Sequence, residues 1–158
     1  MIPFQLYLSN HNFMKMKIVL FVFALFLANN SYGQDIPVKF KIDNLRNSKG
    51  SIIVSIYKNA KSFDEGIPAS HKYIPKNENM NEGIFEAKIS LPPGVYGLVF
   101  TDDEDNNGKM TNRVIGLPKE GFGFSNFYLS GLKKPKFSNF SFMLKKDMET
   151  MQLRLRYM

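Results

Sequence analysis

The densest chemistry in the chain is one run, Asp102-Asp103-Glu104-Asp105-Asn106-Asn107-Gly108-Lys109. Four consecutive carboxylates repel one another unless solvent spreads them or a cation lies between them. Asp103, Asp105 and Asn107 fall at alternate positions with Gly108 next, the D-x-D-x-N-G first half of a calcium loop, to which Lys109 would add its backbone carbonyl. The second half departs from a helix-loop-helix site: the twelfth position is Val114 rather than a bidentate Glu, and the flanks read as strands. A strand-flanked loop would instead close its shell with Asp102, the Thr111 hydroxyl, the distant Glu120 or water. An all-oxygen set suits Ca²⁺ better than zinc or copper. The competing reading is a solvated hairpin loop whose Asp and Asn side chains bond their own backbone.

Elsewhere catalytic chemistry is sparse. There is no cysteine, which removes disulfides, thiolate metal sites and cysteine nucleophiles together. Of the two histidines, His71 stands among Ser70, Lys72 and Tyr73 and is the one available base for a triad; its setting reads as a surface strand. No phosphate loop, dinucleotide fingerprint, nucleophile elbow or zinc-protease motif occurs. Carboxylates crowded into one loop are the wrong geometry for glycoside hydrolysis, whose two acids flank a bond from separate elements. No catalytic residue is assigned, and a hydrolase using His71 or the acidic loop is the lesser alternative.

Gly116 to Asn126 is rich in glycine and aromatic residues. Phe122, Phe124 and, further on, Phe127 and Tyr128 could stack on a sugar face with Ser125 and Asn126 bonding hydroxyls, a lectin-like platform. Equally, the rings could cap the fold and pin the acidic loop, the commoner use of aromatic side chains.

These residues need a scaffold. Val38, Phe40 and Ile42 alternate with lysines; Phe85, Ala87, Ile89 and Leu91 alternate with Glu86, Lys88 and Ser90; Leu153, Leu155 and Tyr157 alternate with arginines. Period two means strands with one buried face. Ile52–Tyr57 and Val95–Phe100 are apolar on both sides, as central strands are, and Phe140, Phe142 and Leu144 mark one more. Breakers fall at Asn47–Gly50, Pro75–Gly83, Pro92–Gly94, Asn106–Gly108 and Pro118–Gly123. The one helical candidate is a turn near Ala60–Glu65, so parallel crossovers are missing. The expectation is all-β: an antiparallel two-sheet sandwich of about seven strands, immunoglobulin-like or transthyretin-like.

The scaffold occupies residues 34–158. Before it, eleven apolar residues from Ile18 to Ala28 follow Lys15 and Lys17 and precede a small, polar stretch ending Ser31-Tyr32-Gly33. That is the layout of a secretory leader over residues 1–33, cut before Gln34, with Met14 or Met16 as the alternative start. The run is too short for a spanning helix, which needs about 20 apolar residues, so no membrane anchor is expected. The destination is the periplasm or beyond the cell, with an envelope glycan or protein as partner.

Charge is uneven. From Gln34 to Ser130 there are 12 basic and 12 acidic residues; from Gly131 to Met158 there are 7 and 2. The basic excess reads as the solvated side of terminal strands rather than a polyanion surface, and no nucleic-acid-binding motif accompanies it.

The stretches Leu91-Pro92-Pro93-Gly94-Val95-Tyr96, Asp103-x-Asp105-x-Asn107-Gly108-Lys109 and Gly116-Leu117-Pro118-Lys119-Glu120-Gly121-Phe122-Gly123-Phe124-Ser125-Asn126 resemble, in order and spacing, an exported bacterial family known as domain of unknown function 2141. The resemblance runs from about Val38 to about Leu155. It implies a secreted β-sandwich without an established activity, and supplies no catalytic residues. The family often carries an acidic residue where this chain has Thr111, so a loop of the family's kind has one carboxylate fewer here.

Overall fold

The computed structural model describes residues 15–17, 34–112 and 116–158. Apart from residues 15–17, the leader assigned to residues 1–33 lies outside the described residues, as does Val114. The chain divides into two units, Met1–Gly33 and Gln34–Met158. The second unit carries β1 (Ile36–Asp43), β2 (Ser51–Tyr57), α1 (Ala60–Asp64), β3 (Ser70–Pro75), β4 (Met80–Asn81), β5 (Ile84–Leu91), β6 (Gly94–Asp103), β7 (Phe122–Phe124), α2 (Phe137–Phe140), β8 (Phe142–Leu144) and β9 (Met151–Arg154).

Two sheets form a sandwich. The first has the order β4-β5-β1-β9 and the second β3-β2-β6-β7, with β8 also pairing β6. Strands β7 and β8 share one edge of β6 end to end, β7 opposite Val99–Thr101 and β8 opposite Gly94–Tyr96. Pairing is antiparallel except between β1 and β9, where Phe40 lies beside Met151 and Asp43 beside Arg154 in parallel. The all-β expectation holds, and nine strands are found among the described residues rather than about seven.

Alternation places the core. Val38, Phe40 and Ile42 of β1 and Phe85, Ile89 and Leu91 of β5 point inward against Ile52, Val54 and Ile56 of β2 and Tyr96, Leu98 and Phe100 of β6. The rings of Phe40 and Phe100 meet edge-on at 5.1 Å. The second sheet also has a covered outer face. There Phe63 of α1, Phe140 of α2, and Phe122 and Phe124 of β7 form a smaller aromatic cluster with Val99 beneath it.

The short helices exist to close that cluster. Asn59 caps α1 by accepting the Ser62 amide at 2.9 Å, and the first turn drops Phe63 onto the Phe140 ring at 4.8 Å. Phe140, expected in a strand, belongs to α2 instead: the chain coils over β6 at Gly97, where a Cβ would lie 2.5 Å from the Phe140 ring. Only a residue without a side chain lets α2 sit that close.

The end of the chain stitches the layers together. After β9, Arg156 exchanges two backbone hydrogen bonds with Phe122, at 2.8 and 2.9 Å, so the segment that left the first sheet reaches the second. Gly121 and Gly123 make room for it, since Cβ atoms there would meet the Tyr157 ring at 2.5 Å and Leu155 at 3.0 Å. These glycines, which could have framed rings for display, instead receive the C-terminal segment.

Candidate functional site

Strand β6 ends by splitting two adjacent aspartates between its faces. Asp102 continues the inward row of Tyr96, Leu98 and Phe100, and Asp103 continues the outer row of Gly97, Val99 and Thr101. Both are buried. The space between the two environments is set by Gly50, whose left-handed backbone at φ 77° lies against Asp103; a Cβ there would come within 2.0 Å of the Asp103 carbonyl.

On the outer side the acidic loop is built by its own side chains. The Asp103 carboxylate accepts the Asn107 amide through Oδ1 at 3.0 Å and the Gly108 amide through Oδ2 at 2.9 Å. Asp105 Oδ1 also accepts from the Asn107 amide, at 3.1 Å. The Asn107 carboxamide accepts the Lys109 amide at 2.9 Å and donates to Thr111 Oγ1 at 2.7 Å. Asn106, at φ 55°, accepts the Ser51 hydroxyl at 2.9 Å and so ties the loop to β2. This much is the self-bonded turn that Asp and Asn favour.

Glu120 adds what local turn chemistry does not explain. It arrives from the segment before β7, is 3% exposed, and accepts the Thr111 amide through Oε2 at 2.9 Å. Its Oε1 is buried without a hydrogen-bond partner. One oxygen from each of Asp103, Asp105 and Glu120 lies within 4.8 Å of the others. Burial raises the Glu120 carboxyl above its ordinary range; the Thr111 amide opposes this, and Asp105, Asp103 and Asp102 reinforce it. An orphaned buried oxygen costs about 1–3 kcal/mol, more where charge is involved. Calcium ligands stand about 2.3–2.6 Å from the ion, so oxygens about 5 Å apart or less can share one.

Other residues read from the sequence fall as follows. Asp102 does not face this loop. The carboxamide of Asn107 is spent on the loop backbone and Thr111, and Lys109 is exposed. Phe122 and Phe124 are buried in the aromatic cluster, and Tyr128, at 54% exposed, stands without them. There is thus no open row of rings. Ser125, fully buried, accepts the Leu98 amide at 2.9 Å and donates to the Phe140 carbonyl at 2.7 Å; Asn126, at φ 55°, takes the turn after β7. His71 pairs across β3 and β2 with Ser55, Nδ1 to Oγ 3.0 Å, rather than with neighbouring Ser70. No carboxylate orients that imidazole among the described residues.

Sequence reasoning missed a second constellation on the inner side of Asp102. Lys76, just past β3, is completely buried and its Nζ stands 2.5 Å from Asp102 Oδ1. Lys76 Nζ also donates to Asn47 Oδ1 at 3.3 Å. The Tyr157 hydroxyl donates to Asp102 Oδ2 at 2.6 Å, while the phenol oxygen accepts the Arg46 amide at 3.3 Å. The Arg46 guanidinium lies over the Tyr157 ring at 3.9 Å. Burial, with the Asp102 carboxylate it serves, pushes the Tyr157 phenol well above its ordinary range. Nothing in the run Pro75-Lys76-Asn77 distinguishes Lys76 from a solvated turn lysine. Tyr157 did carry a signal, as the last inward position of the row Leu153, Leu155, Tyr157.

The chain has no match among curated proteins or solved structures. Residues 40–152 match the model of a bacterial family described as "Uncharacterized protein conserved in bacteria". That span holds β2 to β8 whole and half of each of β1 and β9, together with the acidic loop, Lys76 and Glu120, and the chain belongs to this family, DUF2141.

Proposed function

We propose that the chain is an exported, non-enzymatic β-sandwich module of the bacterial cell envelope, a binding or structural part whose acidic loop closes around calcium. One observation carries the calcium reading: Glu120 brings a buried, unpartnered oxygen to Asp103 and Asp105 from a separate segment. A turn needing only its own hydrogen bonds has no use for it. Export is supported by the leader layout before Gln34. The Ser55–His71 pair gives hydrolysis no support, because His71 lies exposed on an edge strand without an orienting acid.

The test is thermal melting of the protein in calcium and in chelator. Strand-flanked extracellular sites of this kind bind at about 10⁻⁴ to 10⁻³ M. Calcium at about 100 times its dissociation constant adds about 2.7 kcal/mol of stability. Asp105→Ala and Glu120→Gln each erase the gain. Superimposable melting curves in calcium and chelator would refute the site.

A further inference from the structure

We propose that Lys76 and Asp102 become joined by an amide bond between their side chains, formed by the folded protein without another enzyme. The two groups are fully buried and in direct contact, Nζ to Oδ1 2.5 Å. Held there, amine and carboxyl react within one molecule, and fixed geometry of this kind replaces a very high concentration of either partner.

The surrounding hydrogen bonds fit the product better than the ion pair. A buried ammonium has three protons to place, and Lys76 meets two acceptors, Asp102 Oδ1 and Asn47 Oδ1. A secondary amide has one N–H and one carbonyl. Asn47 Oδ1 accepts that N–H, and the Tyr157 hydroxyl donates to that carbonyl, so no polar atom of the amide is left without a partner. Burial adds to this, since a fully desolvated ion pair repays its dehydration poorly while a neutral amide owes much less.

The step balances without oxidant, reductant or cofactor. A proton passes from the Lys76 ammonium to the Asp102 carboxylate, leaving a neutral amine and a neutral acid. The Nζ lone pair attacks Cγ, the Nζ–Cγ bond forms, and the negative charge that develops on Oδ2 falls on the Tyr157 hydroxyl. A proton moves from Nζ to the hydroxyl oxygen, the bond from Cγ to that oxygen breaks, and one water leaves. Tyr157 touches the reacting atoms and is the catalytic residue of this step.

The bond would also lie where it matters. Lys76 follows β3 and Asp102 ends the inward row of β6, so the link crosses beneath the end of β2, which separates those strands in the sheet. It would cross-link a chain that has no cysteine to do so.

Intact-mass measurement of the purified full chain under denaturing conditions tests this, followed by tryptic mapping. The expected result is a mass lower than the sequence by one water, and a branched peptide joining the Lys76 and Asp102 segments, uncut after Lys76. Lys76→Arg restores the full mass. In a time course after cell-free synthesis, the Tyr157→Phe chain forms the link about 10²-fold more slowly than the unaltered chain. Full mass with separate linear peptides carrying Lys76 and Asp102 overturns the proposal, as does a water loss that maps to any other pair. An unchanged rate in Tyr157→Phe overturns the role given to Tyr157. None of these outcomes depends on calcium.

Discussion

Removing the Ser125 hydroxyl strands two backbone groups at once, the Leu98 amide and the Phe140 carbonyl, in a place where water cannot replace it. Ser125→Ala is therefore expected to cost about 1–3 kcal/mol, read as a lower urea midpoint with an unchanged slope. The same logic separates the two aspartates at the end of β6. Asp103 and Asp105 could be singled out from sequence because their spacing is local and the loop they hold is local too. The sequence offered Asp102, Thr111 and Glu120 alike as closing residues, and only the fold separates them: Glu120 joins from beyond Pro118, and Asp102 leaves because a strand sends neighbours to opposite faces. Lys76 was illegible for a related reason. A lysine after Pro75 looks solvated until the carboxylate that buries it is placed beside it.

At the scale of elements, α2 rests on β6 through the missing side chain of Gly97. Gly97→Ala would force a methyl group into the Phe137 and Phe140 rings, at 2.7 and 2.5 Å. The expected loss is about 1–3 kcal/mol by denaturant unfolding, since overpacking shifts rings and backbone that have no room to relax. These strands were readable as written: β1 and β5 turn every second residue inward, Ala87 only partly buried, and β6 is buried on both faces along most of its length. Strand β3 gave no such signal because it is an edge strand whose residues other than Ile74 are all exposed. Two-residue β4 and three-residue β7 are too short for any period, and β7 carries a glycine in its middle. The parallel pairing of β9 with β1 was likewise hidden, because turn spacing predicts neighbours in sequence and says nothing of partners at opposite ends of a chain.

Across the whole molecule, three tyrosines, Tyr57, Tyr96 and Tyr157, have phenols raised above the ordinary value of 10.0, each chiefly by burial. The folded state holds those protons more tightly than the unfolded chain does. Their contribution is complete below about pH 10 and declines as pH climbs through the folded-state values. Urea midpoints are accordingly expected to fall as pH rises from about 10 to about 12, with Tyr157→Phe showing a shallower fall; a flat profile would contradict it.

The side-by-side placement of β1 and β9 has a consequence for synthesis. The Asn44 amide reaches the Leu155 carbonyl across 111 positions of sequence, so the first strand waits for almost the entire chain before its outer neighbour exists. Contacts so far apart are slow to close. Until β9 has been made, one edge of β1 has no partner strand, and the amide and carbonyl groups along it stay open to water or to another chain.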